Sequence, residues 1–250
     1  MLKKRVIPTL LWKNFWLVKW IGFDSSRRVW TVLPAIKVYT MREVDELIIL
    51  DIESSITHIE INYDEIKDFC AECDIPITIW GWIDTFEKAK KIISFGADKV
   101  CLNTVLYTDV TLISEIAKTF WSQAVVCAID IKKIDDTYVC FSHSWTVNTH
   151  KDPIEHAKEL VSYWAWEIIV TSIENDGTMK GYDLDIIEKL SNAVNIPVIA
   201  SWGCGSYEDM YKAFSVGCSA VAAASIFHFT EMTPLEAKKY LKWKWIPVRS

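Results

Sequence analysis

Glycine is scarce in this chain. Its 250 residues include 8 glycines, about 3% where folded proteins carry roughly 7%, and no glycine-rich linker or low-complexity segment interrupts it. Basic side chains are in the minority, 27 against 33 acidic ones for a net charge of −6. That balance argues against nucleic acid as the main partner, because neutralising phosphates takes clustered Lys and Arg. Long apolar runs are missing as well. The longest, Ala220 to Phe229, is about half of the roughly 20 residues that a membrane helix needs. The basic start, Met1-Leu2-Lys3-Lys4-Arg5, is not followed by the small-residue cleavage site of a secretory signal, so a cytoplasmic protein is expected. Seven scattered cysteines, an odd number, fit reduced thiols better than a disulfide framework. The close pair Cys70 and Cys73 has no second pair and no matching histidines, so it reads as two thiols on a helix face. No metal centre and no cofactor are expected.

What the chain does have is an alternation of two patterns. Apolar, β-rich runs occur at Arg5–Leu11, Asp45–Ile52, Ile75–Trp80, Lys99–Leu102, Ala124–Asp130, Glu167–Ser172, Pro197–Ser201 and Ala220–Ala224. Amphipathic stretches with helical spacing lie between most of them, as in Phe86–Phe95, Leu112–Phe120, Pro153–Tyr163, Leu184–Ala193 and Tyr207–Val216. Thr85 and Ser206 stand where N-caps belong. Eight strand–helix units predict parallel pairing and a (β/α)₈ TIM barrel, and residues 1–250 read as a single domain. A shift of 121 residues lays Ile75–Thr104 on Ile196–Ser225 without a gap, and the same shift puts Glu46 on Glu167. One register serving two segments predicts a barrel of two similar half-barrels.

Barrels of this kind place reacting groups at the C-terminal ends of their strands and phosphates at glycine turns and helix N-termini. The strand ends here include two carboxylates, Asp51 and Asp130, and two small polar loops related by the repeat, Asn103-Thr104 and Ala224-Ser225. The turns around Gly81 and Gly203 are related in the same way, and Asp176-Gly177-Thr178 adds another loop of backbone donors. Equivalent loops in the two halves predict a ligand with a phosphate at each end.

These residues resemble the HisF family, the cyclase subunit of imidazole glycerol phosphate synthase, over essentially the whole chain. The resemblance is carried by Lys4–Pro8, Asp45-Glu46-Leu47 with Leu50-Asp51-Ile52, Gly96–Val100, Asn103-Thr104 and Ala128-Ile129-Asp130. Asp176-Gly177-Thr178 with Gly181-Tyr182-Asp183, Ile196–Ser201, and Ala223-Ala224-Ser225 with Phe227-His228-Phe229 complete it. It implies a heterodimer with a glutaminase (HisH-like) partner, whose ammonia is used on a bis-phosphorylated ribotide in histidine biosynthesis. It further implies phosphate or substrate contacts at Lys19, Asp51, Trp82, Asn103, Thr104, Asp176, Gly177, Gly203, Ala224 and Ser225. An ammonia gate is implied at Arg5, Glu46, Lys99 and Glu167, with Asp98 and Gln123 on the partner-facing side.

Two departures matter. The family uses two aspartates as general acid and base; the second matches Asp130, but the first falls on Leu11, which cannot move a proton. HisF-like paralogues that help turn a sugar's acetamido group into an acetamidino group, in surface-polysaccharide synthesis, also resemble the chain through Leu10–Asn14 and Val44–Leu47. A barrel that only activates the glutaminase is the non-enzymatic alternative. The other departure is tryptophan, with 13 residues. Trp16, Trp20, Trp30, Trp80, Trp82, Trp121, Trp145, Trp164, Trp166, Trp202 and Trp245 all fall where the family has glycine. Reading these eleven as glycine leaves 19 glycines and 2 tryptophans, close to an ordinary composition. A codon written as tryptophan but decoded as glycine would produce this pattern.

Overall fold

The computed structural model describes residues 3–13, 16–19, 27–42, 44–54 and 60–249, without the side chains of Lys19 and residues 27–30. Eight strands form the barrel: β1 (Arg5–Lys13), β2 (Leu47–Asp51), β3 (Ile77–Trp80), β4 (Lys99–Leu102), β5 (Val125–Ile134), β6 (Glu167–Ser172), β7 (Val198–Ser201) and β8 (Ala220–Ala223). Each pairs in parallel with the next, and β8 pairs with β1, so the sheet has no open edge. Parallel strands need crossover connections. Here these are the helices α1 (Val32–Met41), α2 (Tyr63–Ala71), α3 (Phe86–Ser94), α4 (Thr111–Phe120), α5 (Pro153–Ser162), α6 (Leu184–Ala193) and α7 (Tyr207–Ser215). A short α8 (Ser225–Phe229) and a final α9 (Pro234–Trp243) follow β8. The expected caps are in place, with Thr85 Oγ1 accepting from Lys88 N and Ser206 Oγ accepting from Asp209 N.

Strand alternation divides the core in two. Ile7, Leu11, Val126, Ala128, Ile169 and Ile199 pack in one cluster, while Val6, Leu10, Ile168 and Val170 pack with Ile36, Ile66 and Ile92 of the helices in another. The first cluster fills the lumen and the second seats the helix layer. The same period-two rule puts Glu167, Ile169 and Thr171 of β6 on the lumen side. Glu167 starts that strand and Thr171 lies near its end, opposite Asp130 in the register of β5. Four residues of strand separate them, about 13 Å.

Two excursions from the barrel were not expected from the sequence. β1 runs on to Lys13 and pairs with an antiparallel hairpin, Trp16–Lys19 with Arg27–Thr31. β5 likewise continues past Asp130 to Ile134 and folds back through Thr137–Ser142 and Val147–Asn148. The two half-barrels thus each extend their first strand into a hairpin at the same rim. Among the described residues no helix is long and apolar enough to cross a membrane.

Candidate active site

Asp130 sits at the C-terminal end of the lumen. Its side chain is buried, and Asn103 Nδ2 donates to Oδ2 at 2.8 Å. Burial pushes the carboxyl up to about 7, with the Asn103 amide and the Thr171 hydroxyl working in the opposite direction. A carboxyl in that range exchanges protons readily near neutrality. The second carboxylate at this rim, Asp51, is used differently. Its Oδ1 accepts the backbone N–H groups of Glu53 and Ser54 at 2.9 and 3.0 Å, so it ties down the turn after β2. Burial raises its pKa as well, against those two bonds.

The residues expected at the ligand separate into two clefts. Asp51, Trp82, Asn103, Thr104 and Asp130 line one, together with Ser144 and Trp145 from the loop of the β5 hairpin. Leu11, Asp176, Gly177, Gly203, Ala224 and Ser225 line the other. Trp202 borders both clefts and stacks on Trp80, ring centroids 6.3 Å apart and planes 16° from parallel. The two indoles form a partition across the barrel mouth. Lys19 belongs to the first hairpin, but its side chain lies outside the described residues, as does Trp20. Leu11 is buried and supplies no polar atom.

The opposite, N-terminal mouth is closed by a ring of charge. Arg5 reaches Glu46 and Glu167 at 2.6 Å each, and Lys99 reaches the other oxygens of the same carboxylates at 3.1 and 2.9 Å. Acids and bases alternate around the ring, and each carboxylate bridges both cations. Burial disfavours the Arg5 charge, but Glu167 and Glu46 more than offset it and hold the guanidinium above its ordinary value. Burial also pushes Glu167 up, and Arg5 and Lys99 reverse this to leave its carboxyl below the usual range. Asp98 and Gln123 line the same face beside the ring. Asp98 is partly committed, its Oδ2 accepting from Ile77 N at 2.8 Å. Cys70 and Cys73 are free thiols, and no metal-holding cluster exists among the described residues.

A family profile described as histidine biosynthesis protein matches residues 5–233. The imidazole glycerol phosphate synthase subunit HisF of Chloroherpeton thalassium is 42% identical over 250 residues, covering all of both chains. Those of Chlorobium limicola and Chlorobaculum tepidum are 42% and 40% identical over the same full length. This chain belongs to the HisF family.

These relatives do not favour the sugar-amidating alternative or the non-catalytic barrel. Within this HisF-family barrel, sequence reasoning placed Thr171 at the end of the strand Glu167–Ser172 but missed its place beside Asp130, which the β5–β6 register sets. Counting two steps of alternation from Glu167 along β6 would have put it on the lumen side. It also missed His228, whose ring contacts the Thr9 carbonyl at 3.0 Å and the Tyr39 hydroxyl at 3.1 Å. Burial lowers its pKa, so the neutral imidazole ties α8 to β1 and α1. Nothing in the local sequence marks that role, because both partners are far away in the chain.

Proposed function

We propose that this chain is the cyclase subunit of imidazole glycerol phosphate synthase. It takes ammonia from a glutaminase partner docked on the Asp98 and Gln123 face and uses it on a ribotide bearing two phosphates, in the cytoplasm. The observation that carries this reading is the arrangement along one lumen: a closed charged ring at the N-terminal mouth and a buried carboxyl, Asp130, near the other end. The full-length likeness to HisF subunits supports it.

The chemistry follows from the residues. The ring blocks the lumen when all four ion pairs are made, so ammonia passes only when Lys99 or Arg5 swings aside. A neutral molecule then travels between apolar walls made by residues such as Val126, Ala128 and Ile169. The substrate's phosphates are held at the loops of Asn103-Thr104 with position 82, and of Gly177, Gly203 and Ala224-Ser225, where backbone N–H groups at helix starts attract anions. Asp130 moves the proton on one side of the bound substrate. Leu11 faces the other side, so one proton transfer is left to solvent or substrate groups and turnover is low.

Lys99→Ala tests the gate. Glutamine hydrolysis by the complex is expected to uncouple from product formation, while free ammonia still supports the reaction. If the glutamine-dependent and ammonia-dependent rates fall together, the ring has no gating role.

A further inference from the structure

Five tryptophans occupy backbone conformations in which L side chains are rare. Trp121, Trp145, Trp164, Trp202 and Trp245 have φ of 71°, 61°, 75°, 68° and 62°. A Cβ crowds the following carbonyl in this region, which is why glycine dominates it. Trp121 is the extreme case, with ψ of 153°, a combination found essentially only for glycine.

Two of the five fill a slot whose proper occupant can be seen elsewhere in the same molecule. After α7, Gly217 at φ 111° donates to the Phe214 carbonyl, and Cys218 donates to that of Ala213. This paired bonding ends a helix with a left-handed residue, usually glycine. After α5, Trp164 donates to Val161 and Ala165 to Leu160; after α9, Trp245 donates to Lys242 and Ile246 to Leu241. The hydrogen bonds are the same and only the residue differs. Burial does not compensate for the strain, since Trp121, Trp164 and Trp245 are 81%, 53% and 93% exposed. The chain uses tryptophan normally at the two remaining positions. Trp12 is buried edge-on against Phe69, and Trp243 closes α9 beside Tyr240, both with ordinary φ.

We propose that the protein as synthesised carries glycine at positions 16, 20, 30, 80, 82, 121, 145, 164, 166, 202 and 245, one codon written here as tryptophan being decoded as glycine in the source cell. All eleven change together because they share that codon, while Trp12 and Trp243 use the ordinary one. The consequence for the site is large. Removing the indoles of Trp80 and Trp202 takes away the partition between the two clefts, so Asp130 and the Gly203–Ser225 side face one continuous opening. The exposed indole group of Trp121, Trp164 and Trp166 near the N-terminal face vanishes too.

The protein isolated from its source cells is to be weighed intact and its peptides sequenced by tandem mass spectrometry. Loss of the indole side chain to a hydrogen removes about 129 Da per position, about 1.4 kDa in all. An intact mass lower than 28.8 kDa by that amount, with glycine at 121, 164 and 245, is expected. Tryptophan at any of those three positions overturns the proposal. The readout is a mass and not an activity, so its failure is distinct from failure of the proposed reaction.

Discussion

Asp130→Asn is expected to stabilise the protein while sharply lowering its turnover. The buried carboxyl has a folded-state pKa of about 7, against about 3.9 in the unfolded chain. Below about pH 3 both states are protonated and the residue costs nothing. As pH rises, the unfolded carboxyl ionises freely while the folded one holds its proton, so stability falls until about pH 7 and then levels off. At 1.36 kcal/mol per pKa unit the loss reaches about 4 kcal/mol at pH 8 and about 1.5 kcal/mol at pH 5. Asparagine does not titrate. Asn103 Nδ2 can still donate to its carbonyl, and Asn103 Oδ1, now buried without a partner, can accept from its amide. Thermal unfolding of both proteins at pH 5, 6, 7 and 8 measures the effect. A chain of this length shifts roughly 2–4 °C per kcal/mol, so the variant should melt about 8–16 °C higher at pH 8 and by about a third as much at pH 5. Ammonia-dependent turnover should fall by about 10²–10⁴. A melting difference that stays constant across this range, or a variant less stable at pH 8, would refute the reasoning.

Three further outcomes are expected. Leu11→Asp, assayed with free ammonia in protein carrying glycine at the eleven positions, should raise ring closure by part of the 10²–10⁴ that a general acid or base supplies; wild-type turnover that already matches an ordinary cyclase would show that Asp130 suffices. Glu167→Ala should destabilise by about 3–5 kcal/mol, because Arg5 and Lys99 are left sharing one carboxylate in a buried site; denaturant titration with a loss under 1 kcal/mol would mean that the ring is open to water. Thr85→Ala and Ser206→Ala should each cost about 1 kcal/mol as lost N-caps, and unequal losses in thermal unfolding would show that the repeat-related helices are not supported alike.

Much of the architecture is legible because it is local. Continuous apolar runs such as Leu47–Leu50 and helical spacing in Tyr207–Ser215 arise within a few residues, and alternation of the two patterns already implies parallel pairing. The caps at Thr85 and Ser206 are equally local, each serving an N–H three residues on. Candidate strand-end residues followed from the barrel rule, which is why Asp130, Asn103 and Gly203 could be picked out before their surroundings were known.

Contacts between distant residues were not legible from periodicity, and only the family resemblance named Arg5, Glu46, Lys99 and Glu167 as a set. Arg5 and Glu167 are 162 positions apart, and no periodicity tells that they meet Glu46 and Lys99 in one closed ring. By strand-end position alone Asp51 and Asp130 were equals; folding separates them, spending Asp51 on two backbone N–H groups and leaving Asp130 buried beside Asn103 and Thr171. The hairpins after β1 and β5 were missed because they fall outside the strand–helix alternation and pair, directly or through one another, with strands that continue past the barrel rim. Composition raised the question of the tryptophans, but only the folded backbone put Trp121, Trp164 and Trp245 in the glycine region, because φ is set by how each helix must end and where the chain must go next.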